Sequence, residues 1–203
     1  MHKLQCRVFF VIVATFGIAA SVPDGLAQAN QSQKLPPEIL ALVPEGAQVT
    51  TQSFGVNQIN APVEFVAERK SGLRSQVMTH YHFIFRSYDG DSEMWKMIAP
   101  SSREEVETDS KNAAQSMASN TNEMISPPEV TQYPWGKGVT QRRKFYGDGA
   151  PDFYSYHCLY WGVAGSTVFQ LEVEEIPDRA DADQWAKKVA DTAARTSRTS
   201  LSK

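Results

Sequence analysis

Cysteine is almost missing from this chain. Cys6 and Cys158 are the two thiols in 203 residues, so a disulfide-framed miniature fold is excluded. Histidine is scarce too, at four residues. A basic excess is absent: the formal net charge is −3, which argues against a general nucleic-acid binder. The local signatures of the commoner enzyme classes are missing as well. There is no Gly-x-Ser-x-Gly elbow, phosphate-binding Walker loop, His-Glu-x-x-His helix or dinucleotide fingerprint. Internal repeats, low-complexity tracts and the composition break of a second domain are also lacking.

The longest apolar run, residues 8–20, is short. At about 1.5 Å per residue it reaches roughly 20 Å, less than a ~30 Å hydrocarbon core. His2, Lys3 and Arg7 precede it, and Ala27-Gln28-Ala29 follows it. This layout predicts a secretory signal peptide over residues 1–29, with Ala27 and Ala29 as the small residues of the cleavage site. No cysteine stands at that site to carry a lipid, so the expected product is soluble and periplasmic or secreted, without a stable membrane anchor. Cleavage takes Cys6 and His2 and leaves 174 residues with a formal net charge of −4, because the leader holds two Lys or Arg and one Asp. That length fits one domain. The expected organisation is a flexible tether over 30–35, a single α+β domain over 36–198 and a frayed tail over 199–203.

Periodicity gives the element order. Pro36-Pro37-Glu38 opens a short helix that Pro44 ends. Strands are expected over 48–55, 63–68 and 76–88; in the last, Val77, Thr79, Tyr81, Phe83 and Phe85 share a core face at period two. Asp89-Gly90 predicts a hairpin turn into a further strand over 93–99. Ser101 with Glu104, or Ser102 with Glu105, has capping-box spacing, which predicts a helix running to about Asn120 with a thin stripe of Val106, Ala113, Ala114 and Met117. Residues 120–138 are rich in proline and glycine and are expected to be irregular. An antiparallel meander over 139–146, 153–161 and 167–175 follows, with Thr167, Phe169, Leu171 and Val173 inward and Gln170, Glu172 and Glu174 outward. A final helix from about Asp181 docks through Trp185. The expected fold class is α+β, a mainly antiparallel sheet of six or seven strands flanked by helices.

The remaining histidines, His80, His82 and His157, equal in number the ligands of an open zinc site. Two residues apart on a strand, His80 and His82 share a face at about 6.6 Å. They oppose the aromatic core face, in the company of Met78, Ile84 and Arg86, whereas His157 runs with Phe153, Leu159 and Trp161. The reading is therefore an exposed pair plus one hydrogen-bonded core histidine, with no metal or cofactor. A three-histidine zinc-dependent hydrolase or lyase is the alternative. His157 and Cys158 are adjacent, and adjacent strand residues face opposite ways, so they do not make a thiol-imidazole pair. Aromatic residues crowd the last meander. Tyr154, Tyr156 and Tyr160 share a face, and Trp135 lies between Pro134 and Gly136; these four are the candidate ligand or partner face.

A leader, a short helix, an antiparallel sheet interrupted by one helix, a closing meander and a final amphipathic helix together resemble the sandwich of the PsbP and Mog1 proteins, and small secreted bacterial proteins. The resemblance implies a non-enzymatic binding or assembly module in the envelope, with a protein or small-molecule partner. Nucleic acid is not among the expected partners.

Overall fold

The computed structural model describes residues 35–54, 62–70, 78–119, 125–145 and 153–199. Ten elements follow in order: α1 (Pro37–Leu40), β1 (Gln48–Phe54), β2 (Val63–Lys70), β3 (Met78–Ser87), α2 (Glu93–Ser119), β4 (Glu129–Tyr133), β5 (Gly136–Phe145), β6 (Phe153–Ala164), β7 (Thr167–Ile176) and α3 (Arg179–Thr199). The expected leader with Ala27 and Ala29, the strand start at Gln76 and Val77, and residues 200–203 of the tail lie outside the described residues. Leu35, expected at the end of a loose tether, is instead buried in the core.

The strands form one seven-stranded antiparallel sheet in the order β1-β2-β3-β7-β6-β5-β4, which makes the class α+β. Two meanders, β1 to β3 and β4 to β7, meet where β3 pairs with β7. Alternation places the side chains as expected. Thr79, Tyr81, Phe83 and Phe85 are buried on β3, and Thr167, Phe169, Leu171 and Val173 on β7. The β6–β7 hairpin turns through Gly165, whose φ of 60° is cheap for glycine alone.

Helix α3 covers the face bearing those aromatics, through Ala182, Trp185, Ala186, Val189, Ala190 and Ala193. Trp185 docks as expected: its indole meets Tyr81 edge-on and its Nε1–H donates to the Leu42 carbonyl at 2.7 Å, which pins the segment after α1. Helix α2 covers part of the opposite face through Val106, Ala113 and Met117 against Val139 and Trp161. Among the described residues no helix is long and apolar enough to cross a membrane.

Two expectations are corrected. Residues 93–99 are not a strand: they are the first turns of α2. Met94, Trp95, Met97 and Ile98 fit a helical stripe as well as a short apolar run, and local capping decides between them. Ser92 Oγ accepts the Trp95 N–H at 3.1 Å, the N-cap bond to the third helical residue, while Trp95 stacks on Tyr88. Pro100 thus sits inside the helix, where its ring nitrogen has no hydrogen to donate. Ser101 Oγ donates to the Ile98 carbonyl instead of capping a new helix.

The second correction is strand β4, inside the stretch expected to be irregular. Gly136 and Gly138, which look like loop residues, belong to β5 and are glycines for lack of room. A Cβ on Gly136 would lie 2.0 Å from the Trp161 carbonyl oxygen, and one on Gly138 2.9 Å from the Tyr133 and Tyr160 rings. Short β4 is an edge strand, where nearby prolines are tolerated.

Candidate functional site: a row of imidazoles and carboxylates

The face covered by α2 is where the histidines lie. On β3, residues alternate strictly, so burying Tyr81 and Phe83 turns His80 and His82 to the other side. Glu68 pairs with His80 and Val66 with His82 across β2, while Glu174 and Glu172 stand opposite the same two histidines on β7. On β6, burying Cys158 and Tyr160 against α3 turns His157 the same way as His80 and His82. All three imidazoles therefore share one face, although His157 is two strands from β3.

Each is held by glutamate. His82 Nε2 lies 2.7 Å from Glu64 Oε1, and its Nδ1 lies 4.0 Å from Glu172 Oε2. The other Glu172 oxygen is 2.8 Å from His157 Nε2, which is also 3.9 Å from Glu174 Oε1. A row Glu64–His82–Glu172–His157 thus crosses four strands. His80 stands beside it with its own partner, Nδ1 being 3.3 Å from Glu68 Oε1, so it does not join His82 and His157 in a three-histidine cluster. The bulge in the β6–β7 pairing falls at His157, between Tyr156 and Cys158, and Glu175 opposite it takes a left-handed φ of 56°. Thr79 Oγ1 donates to the Glu175 carbonyl at 3.1 Å, which holds that kink.

The row runs from solvent into the protein. His82, Glu64, Glu172 and Glu174 are partly exposed, but His157 is only 8% exposed. Among the described residues its Nδ1 has no hydrogen-bond partner. Beside it in β5, buried Gln141 donates to the Met117 carbonyl at 3.0 Å and accepts from Arg143 Nε at 3.0 Å. Burial raises the Glu172 pKa, yet the hydrogen bond from His157 and the charges of His157, His82 and Arg143 outweigh it, holding this carboxyl below the usual range. The four carboxyl groups of Glu64, Glu68, Glu172 and Glu174 outnumber the three imidazoles they pair with on this face.

Of the four candidate aromatics, Tyr160, Trp135 and Tyr156 pack together in the cluster under α3. Tyr160 is fully buried and donates its hydroxyl to Asp183 Oδ1 at 2.8 Å; Tyr133 donates to the same oxygen at 2.7 Å. Burial and the Asp183 carboxylate push the Tyr133 hydroxyl up to about 12. Trp135 stacks on Tyr133 with centroids 4.6 Å apart and leans on Tyr160 and Phe169, sealing the core edge. Tyr156 is half-buried against the core. Only Tyr154 among the four candidates is exposed, with the Arg142 guanidinium 5.4 Å from its ring centre. Cys158 is buried, and burial pushes its thiol up to about 12, the opposite of a reactive cysteine.

The alternation of β3 places the histidine pair on its face, but no local pattern names Glu64, Glu68, Glu172 and Glu174 as its partners. The outward alternation of Glu172 and Glu174 was a usable signal; the β3–β7 neighbourhood that makes it matter was not. No family model, curated protein or solved structure matches the chain.

Proposed function

We propose that this chain is an exported, non-catalytic binding module that takes a cationic ligand on the half-covered sheet face. One observation carries the reading: four glutamates and three histidines from four adjacent strands share that face. A sheet surface that only needed solvation would not bury His157 at the end of a carboxylate row. The leader over residues 1–29 and the resemblance to PsbP and Mog1 proteins support export and a binding role. Trp135 and Tyr160 are packed into the core edge, which moves the proposed surface from the tyrosines to the row.

The test is a titration of the untagged, isotope-labelled chain with three cation probes: zinc ion, spermine and a tetralysine peptide. Amide and imidazole resonances of β3, β6 and β7 should shift with at least one probe. The shifts should vanish in the E64Q/E68Q/E172Q/E174Q variant. If none of the three perturbs the row in the wild-type chain, the reading is wrong.

A further inference from the structure

The inner end of the row has the donors and the spacing of a metal site. Among the described residues, His157, Glu172 and Glu174 offer ligand atoms that all lie within 4.8 Å of one another. Resting on the cation-face reading above, we propose that these three residues bind one divalent transition-metal ion of the zinc type, with His82 Nδ1 as fourth ligand.

The distances suit it. Bonds of about 2.0–2.2 Å in a tetrahedral site put ligand atoms roughly 3.3–3.6 Å apart. To reach a spacing of roughly 3.3–3.6 Å, the 2.8 Å contact between His157 and Glu172 opens by about 0.5–0.8 Å, and the 3.9 Å contact to Glu174 closes by about 0.3–0.6 Å. Both are rotations of glutamate side chains on a fixed sheet. The proton that now bridges His157 and Glu172 leaves Nε2 when the metal takes its place between them, and Nδ1 carries the hydrogen of the bound imidazole.

His82 lies outside that group of three, and a turn of its side chain toward Glu172 brings Nδ1 to the fourth position. Its Nε2 lies 2.7 Å from the Glu64 carboxylate, to which it donates in the metal-bound form, and its Nδ1 faces Glu172 at 4.0 Å. Carboxylate behind imidazole is the arrangement that fixes the tautomer of a metal-binding histidine. Glu64 is thus a positioning residue. Among the described residues His157 has no such support, its Nδ1 lacking a partner there; by the usual effect of a missing outer partner the site binds about 10–100-fold more weakly than a fully braced one.

The donor set selects the ion class. Two imidazoles with two carboxylates suit zinc, cobalt or nickel. Calcium and magnesium prefer oxygen alone, and the soft thiolate that would favour copper(I) is on the other face, as Cys158. This pattern distinguishes the group from an ordinary acidic patch: its central ligand is a buried imidazole aimed at two carboxylates from the neighbouring strand.

Cobalt(II) absorption and zinc calorimetry on the untagged chain test the proposal. One equivalent of either ion should bind, cobalt with the visible bands of a four-coordinate nitrogen and oxygen site. Glu172→Gln and His157→Gln should abolish binding; should the buried His157 variant not fold, Glu174→Gln at a more exposed position serves in its place, with the same expected loss of affinity. Glu64→Ala should weaken binding by about 10–100-fold while preserving the cobalt band positions, and Lys187→Ala, exposed on α3 and paired with Asp191, should leave affinity unchanged. Absence of saturable one-to-one binding, or full affinity in both Glu172→Gln and Glu174→Gln, overturns the site. If spermine or tetralysine still perturbs the row while zinc does not, the metal assignment falls and the cation face stands; if no probe acts, both fall.

Discussion

The two faces of the sheet are built on different principles. Under α3, twenty buried residues form one continuous cluster with stacked rings, Phe65 on Phe83 at 4.7 Å and Phe83 on Phe85 at 5.5 Å. Under α2 the buried apolar cluster has five residues, and the rest of the face carries paired imidazoles and carboxylates. Apolar burial scales with the area removed from water, so the first face holds the fold. The second is free to carry charge that no core would tolerate.

That contrast is open to attack by mutation. Trp185→Ala removes the anchor of α3 and its bond to the Leu42 carbonyl, and should cost about 3–5 kcal/mol in denaturant unfolding. Asp183→Ala strips the acceptor shared by Tyr133 and Tyr160 and should cost about 1–3 kcal/mol. Val106→Ala on α2 deletes little more than two methyl groups and should cost about 1–2 kcal/mol. If Val106→Ala proved as damaging as Trp185→Ala, the division of labour between the faces would be refuted.

Alkali sharpens the same comparison. Tyr133 binds its proton more tightly folded, near 12, than its ordinary value of 10.0. Its contribution is complete below about pH 10 and is lost as the pH rises toward 12. Urea midpoints measured across that window should fall, and fall less steeply in Tyr133→Phe. The smallest effect belongs to Cys158: at pH 8 a thiol-specific reagent should leave Cys158 unlabelled in the native chain and react with it once the chain unfolds.

What the sequence discloses depends on whether a signal is local. Strands β3 and β7 and helix α3 were legible because one face is buried at a clean period. The start of α2 was not, because Met94, Trp95, Met97 and Ile98 fit either period and Pro100 suggested a beginning where the helix is already under way. Strand β4 hid among glycines chosen for tight packing. For the candidate site, the direction of His80 and His82 was readable from Tyr81 and Phe83. Their glutamate partners were not, since strand neighbours far apart in the chain leave no trace in periodicity; His82 meets Glu172 only because β7 returns beside β3.

The seam between β3 and β7 also orders events during synthesis. β3 is complete at Ser87, but the residues that pair with it begin roughly eighty positions later, as in the contact of Ser87 with Thr167. Tyr81, Phe83 and Phe85 therefore leave the ribosome long before β7 and α3 exist to cover them. Loop closure of that span makes the joining of the two meanders a late, slow step. The nascent chain is at its stickiest with a finished first meander and no last strand, the stage at which a holding chaperone has most to do.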